Sequence, residues 1–191
     1  MEFLDKDLVS IQETRGLIRK AKEAQSKLAR MSQQDIDRIV KAISDAAYEN
    51  SEKLAKMANE ETGFGKWEDK VLKNVFAART VYESIKDTKT VGIVEENVEK
   101  RAFKIMVPVG VVAGLIPSTN PTSTAIYKAM ISIKARNAIV LSPHPSAKKC
   151  IIETAKIIAK AAERAGCPEG AIGWITVPSI EIGRASCRER V

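Results

Sequence analysis

From Val111 to Val177 the sequence alternates between short apolar runs and longer stretches of helical period. The runs are VVAGLI, NAIVLS and AIGWITV, separated by Ser123 to Arg136 and by Ser146 to Ala165. Runs of this length, too short for helices and almost wholly apolar, read as buried strands. Strand, helix, strand, helix, strand predicts consecutive βαβ units with right-handed crossovers, hence an α/β fold built on a parallel sheet.

The first ninety residues read differently. Leu4 to Arg30 contains no proline, and apolar residues recur at Leu8, Ile11, Leu17, Ile18 and Ala21. Ser32 is placed to cap a second helix, with Asp35 in its first turn. Ile36, Ile39, Val40, Ile43 and Ala47 mark one face of that helix, which is expected to run until Gly63 and Gly65. A third helix carries Val71, Leu72, Val75, Phe76, Val81 and Ile85 as its apolar residues. Between these helices and the alternating half, TVGIVEENVEKRAFKIMVPVG is rich in β-branched residues and predicts two strands joined by a turn. No internal repeat, low-complexity block or flexible linker interrupts the chain.

With 191 residues, 45% of them hydrophobic and 29% charged, the chain has the balance of a globular domain or a domain and a half. No apolar run reaches the roughly 18 residues of a membrane span. The start, MEFLDKDLVSIQE, lacks the basic and apolar regions of a secretory signal. The net charge of +7 comes from lysines interleaved with acids, which reads as solvated helix faces and not as a nucleic-acid patch. Cys150, Cys167 and Cys187 are irregularly spaced, so neither a disulfide framework nor a zinc cluster is expected, and the usage fits a reducing cytoplasm. His144 is the only histidine, which excludes any site needing two histidine ligands.

In open α/β sheets, ligands bind outside the carboxyl ends of the strands. Two loops leave such ends, PSTNPTS and SPHPSAKK, and both lead into helix N-termini, where free N–H groups and the dipole favour anions. The chain has no G-x-G-x-x-G fingerprint and no Walker loop, so a nucleotide bound here would not use the usual glycine turn. Asn120 is a neutral amide at a strand end, followed by Pro121, which suits a first helical turn. It reads either as an N-cap or as a donor aimed at a developing oxyanion.

VPVGVVAGLIPSTNPTSTAIYKA, followed by KARNAIVLSPHPSAKK and AGCPEGAIGWITV, resembles the aldehyde dehydrogenase superfamily, and within it the CoA-acylating acetaldehyde dehydrogenases. EETGFGKWEDKVLKN is similar to that branch as well, and the resemblance covers residues 1 to 181. It implies a partial NAD-binding, Rossmann-like domain preceded by helices, from an enzyme that converts an aldehyde, CoA and NAD⁺ to acyl-CoA and NADH through a cysteine thioester. It implies that Asn120 is the oxyanion donor and that Ile116, Pro117, Ser118 and Thr119 lie beside the cofactor. Ser142, Pro143 and His144 fall in the second cofactor loop, His144 either facing solvent or touching a phosphate of the cofactor or of CoA. The hydrolytic branch carries Lys and Glu where this chain has Ser142 and Pro145, a change the acylating branch shares.

The family's nucleophilic cysteine matches none of the three here. Cys150 falls within a helix and Cys167 in a turn. After WITVPSIE the sequence turns abruptly to IGRASCRERV, so residues 182–191 are expected to be a non-native tail, the alternative being a genuine basic C-terminus. The expected protein is a cytoplasmic enzyme, a bacterial microcompartment being a second location. It acts on a small aldehyde and CoA, with no nucleic-acid or membrane partner, and is a homo-oligomer when complete. The rivals are an enzyme acting on propanal or butanal, the front of a fused aldehyde–alcohol dehydrogenase, and a non-catalytic helical interaction module.

Overall fold

The computed structural model describes residues 5–179; the expected tail at 182–191, with Cys187, lies outside them. Helix α1 (Lys6–Leu28) starts at Asp5, whose carboxylate accepts from the amides of Asp7 and Leu8. Helix α2 (Gln33–Glu49) starts at Ser32, whose hydroxyl accepts from the Asp35 amide, as the sequence leads one to expect. The second helix does not run unbroken to Gly63. At Asn50 both the backbone N–H and the side-chain amide turn back to the Ala46 carbonyl, and the chain restarts as α3 (Ser51–Thr62). Gly63, at φ 68°, then supplies the left-handed residue that ends α3.

The third helical stretch also departs from regularity. It is α-helical over α4 (Trp67–Val75), widens to a π turn over Phe76–Thr80, and returns as α5 (Val81–Ile85). Ala77 and Ala78 are buried, whereas Leu72 and Phe76 are exposed, by 70% and 59%. Two residues that read as core from their spacing therefore lie on the surface.

Strands β1 (Gly92–Asn97) and β2 (Ala102–Met106) form the expected antiparallel hairpin, with a register shift between Ile93 and Glu95. The alternating half then gives β3 (Val111–Ile116), α6 (Pro121–Lys134), β4 (Ala138–Pro143), α7 (Lys148–Arg164) and β5 (Ile172–Trp174). The sheet order is β3-β4-β5 and both pairings are parallel. Side chains alternate across β4. Ala138 and Val140 meet Ile18 and Ala21 of α1 on one face. Ile139 and Leu141 belong to the main core with α2, α6 and α7 on the other. A strand buried on both faces can be apolar at nearly every position.

Strand β5 is shorter than its apolar run. The amides of Thr176 and Val177 leave the sheet because the Glu13 carboxylate of α1 takes them, at 3.0 to 3.1 Å. No helix among the described residues is long and apolar enough to cross a membrane.

Candidate active site

Parallel pairing aligns the carboxyl ends of β3 and β4: Leu115 stands beside Ser142 and Ile116 beside Pro143. The His144 amide donates to the Ile116 carbonyl at 3.0 Å, tying one loop to the other. Ile116, Pro117, Ser142, Pro143 and His144 consequently line one open cleft of about 760 Å³, together with Lys6, Asp7 and Pro178. His144 is exposed, and its Nδ1 accepts from the Ser146 amide at 3.2 Å. Ser118 and Thr119 are not among the residues lining this cleft; Thr119 and Asn120 line a second one.

The two helix N-termini behind the loops are not equivalent. At the start of α7, the Glu61 carboxylate of α3 accepts from the amides of Lys149 and Cys150, at 2.8 and 2.7 Å. The anion that this terminus attracts is the protein's own side chain, so the expectation of a free anion site there is corrected. Helix α6 begins with Pro121 at its first position, where no N–H is needed.

Asn120 occupies the N-cap position of α6, at φ −132° and ψ 59°, yet its side chain makes no capping bond. Lys73 of α4 donates to its Oδ1 at 2.9 Å. An ammonium group is a donor only, so the amide oxygen faces Lys73 and the NH₂ faces away from it. Two neighbours on α4 hold the rest of the loop. Lys70 donates to the Thr119 carbonyl at 3.2 Å. Asn74 accepts from the Thr122 hydroxyl at 2.7 Å and donates to the Ser51 carbonyl at 3.0 Å. Lys70, Lys73 and Asn74 are three and four residues apart and so share one helix face. Burial, and then the adjacent Lys73 ammonium, hold Lys70 below the ordinary lysine range.

Asn120 also borders an apolar cleft of about 600 Å³, walled by Leu72, Phe76, Ala77, Val81 and Tyr127 with Ser123 and Thr124. This accounts for the exposure of Leu72 and Phe76. Lys70 and Asn74 are polar at i and i+4 and Leu72 and Phe76 apolar at i and i+4, so the two pairs lie on different faces of one helical stretch, the first buried and the second exposed.

Neither described cysteine is a nucleophile. Cys150 is wholly buried in α7, and burial together with Glu61 pushes its thiol up to about 12. Cys167 is 6% exposed, and burial, then Glu163, push it up to about 12 as well. At neutral pH both stay as unreactive thiols.

Sequence and structure comparisons place the chain among known proteins. An acetylating aldehyde dehydrogenase from Geobacillus thermoglucosidasius has a crystal structure that superposes with a TM-score of 0.95 at 56% identity, over 97% of this chain and 41% of that one. A probable aldehyde dehydrogenase from Listeria monocytogenes EGD-e gives 0.94 at 64% identity, over 95% and 40%. The bifunctional aldehyde-alcohol dehydrogenase AdhE of Escherichia coli K12 is 43% identical over 178 residues, which is 93% of this chain and 20% of that protein. The chain thus spans about two fifths of those solved chains and one fifth of the fused relative. The sequence model of the aldehyde dehydrogenase family matches residues 8–190, and the chain belongs to that family.

Proposed function

We propose that the complete protein is a CoA-acylating aldehyde dehydrogenase, oxidising a small aldehyde, acetaldehyde in the first place, with NAD⁺ and CoA to acyl-CoA and NADH. The orientation of Asn120 carries this reading. Its oxygen is held by Lys73 and its NH₂ is left to donate at the rim of an apolar cleft. A donor fixed before the reaction begins stabilises negative charge on a carbonyl oxygen as a thiolate adds to the carbon. The apolar walls Leu72, Phe76, Val81 and Tyr127 suit the alkyl part of the aldehyde. The thiolate is not drawn from residues 5–179, because burial keeps Cys150 and Cys167 protonated.

The strand-end cleft fits a dinucleotide. Ile116, Pro117 and Pro143 give it apolar walls for a planar base, and Ser142 and His144 give it polar groups for a ribose or phosphate. When bound, NAD⁺ supplies the hydride acceptor. The chain's own part is to hold the base between the two loops, which the bond from His144 to Ile116 keeps at fixed separation. Buried, free Cys150 and Cys167 fit a reducing compartment, the cytoplasm.

The test is the product. The complete enzyme, given acetaldehyde, NAD⁺ and CoA, should form NADH and acetyl-CoA in equal amounts. NADH accompanied by acetate, with no dependence on CoA, would contradict the acylating reading.

The hairpin supports the proposal that the enzyme is a homo-oligomer. A lone two-stranded hairpin is marginal in water. This one exposes Ile93, Phe103 and Ile105, with Ile93 directly opposite Ile105. A second copy covering that face removes the apolar surface from water. Phe103→Asp with Ile105→Asp should lower the sedimenting mass of the complete protein, and an unchanged mass would contradict this contact.

A further inference from the structure

We propose that Lys73 is a positioning residue, which sets the direction of the Asn120 amide and so decides whether that amide can act as an oxyanion donor. This rests on the reading of Asn120 given above. A side-chain amide has two nearly isosteric ends, one donor and one acceptor, and only its partners determine which end faces the cleft. With no capping bond to the α6 amides, Asn120 has the Lys73 ammonium at 2.9 Å as the partner that distinguishes them.

The ammonium rejects the NH₂ end and accepts the oxygen end. It also draws electron density toward Oδ1, which makes the N–H groups stronger donors. Lys73 does not act from a wandering surface side chain alone. Lys70, one turn earlier on the same face, grips the carbonyl of Thr119, so consecutive lysines of that face hold consecutive residues of the loop. Lys73 itself borders both the apolar cleft and the cleft that contains Thr119, as Asn120 does.

Steady-state kinetics of the complete enzyme test this as a double-mutant cycle. Lys73→Met keeps the unbranched side chain and removes the donors. It should lower kcat about tenfold, less than the roughly 10²–10³-fold of losing an oxyanion donor outright, with KM for CoA and NAD⁺ unchanged. Lys73→Arg keeps the donors and should stay close to the wild type. Lys73→Glu offers acceptors, turns the NH₂ away from the cleft, and should fall below Lys73→Met. In the Asn120→Ala background, Lys73→Met should have no further effect, because the group it orients is gone. A wild-type kcat for Lys73→Met, or a loss that persists undiminished beside Asn120→Ala, overturns the positioning role. If Asn120→Ala itself keeps the wild-type kcat, the oxyanion reading falls, and this inference falls with it.

Discussion

Asn120→Ala is expected to lower kcat of the complete enzyme by roughly 10²–10³-fold, or about 3–4 kcal/mol of transition-state stabilisation, the size of effect seen when one oxyanion donor is removed. The donor contributes little to binding the neutral aldehyde and much to the charge that forms on its oxygen, so the loss should lie in kcat and leave KM for NAD⁺ nearly unchanged. Stability should change little. A working N-cap is worth about 1 kcal/mol, but the Asn120 side chain makes no capping bond, so alanine removes none. Melting curves recorded beside the kinetics separate the two roles. An activity loss that follows a fall in Tm would return Asn120 to the status of a helix cap.

Asn74→Ala should have the largest effect on stability among substitutions near the site. Asn74 is fully buried and joins three elements: it donates to Ser51 at the start of α3 and accepts from Thr122 at the start of α6, while belonging to α4. Truncation leaves the Ser51 carbonyl and the Thr122 hydroxyl buried without those partners. Each costs about 1–3 kcal/mol, so the expected loss is about 2–6 kcal/mol, and for a chain of this size a fall in Tm on the order of 10 °C. Thr122→Val, which breaks only one of the two bonds, should cost about half as much. Thermal unfolding followed by circular dichroism checks both. A Tm for Asn74→Ala within a degree or two of the wild type would mean that the bridge is not what joins the loop to the helices.

The contrast between Asn120 and Asn74 shows what the sequence could and could not convey. The βαβ half was legible because its signal is local. Apolar runs such as NAIVLS announce a strand covered on both faces, and the side chains of β4 do divide between α1 and the α6–α7 layer. The loops at the strand ends follow from that topology, and so does the side-by-side placement of Ile116 and Pro143. The Asn50 break and the π turn at Phe76–Thr80 were not legible. An amide that folds back on Ala46, and one residue added to a helical turn, leave the apolar spacing almost intact. Least legible were the long-range bonds around the two loops. Lys73 reaches Asn120 across 47 residues and Glu61 reaches Cys150 across 89. Such pairs have no period, and each partner taken alone is an ordinary surface lysine or glutamate.

The resemblance of IPSTNPTST and LSPHP to the acylating branch pointed to the loops after β3 and β4 without saying what partners Asn120. Lys70 and Lys73, which donate to Thr119 and Asn120, stood within the stretch quoted for that resemblance and were given no role by it.

If the loops after β3 and β4 together hold the dinucleotide, amide hydrogen exchange of the complete enzyme with and without NAD⁺ reads it directly. Saturating NAD⁺ should slow exchange in the segments 116–119 and 142–146 and leave the β1–β2 hairpin unchanged. NADP⁺ serves as the parallel arm, to show which dinucleotide gives the protection. Saturable binding of NAD⁺ with protection in neither loop would mean that the dinucleotide binds elsewhere.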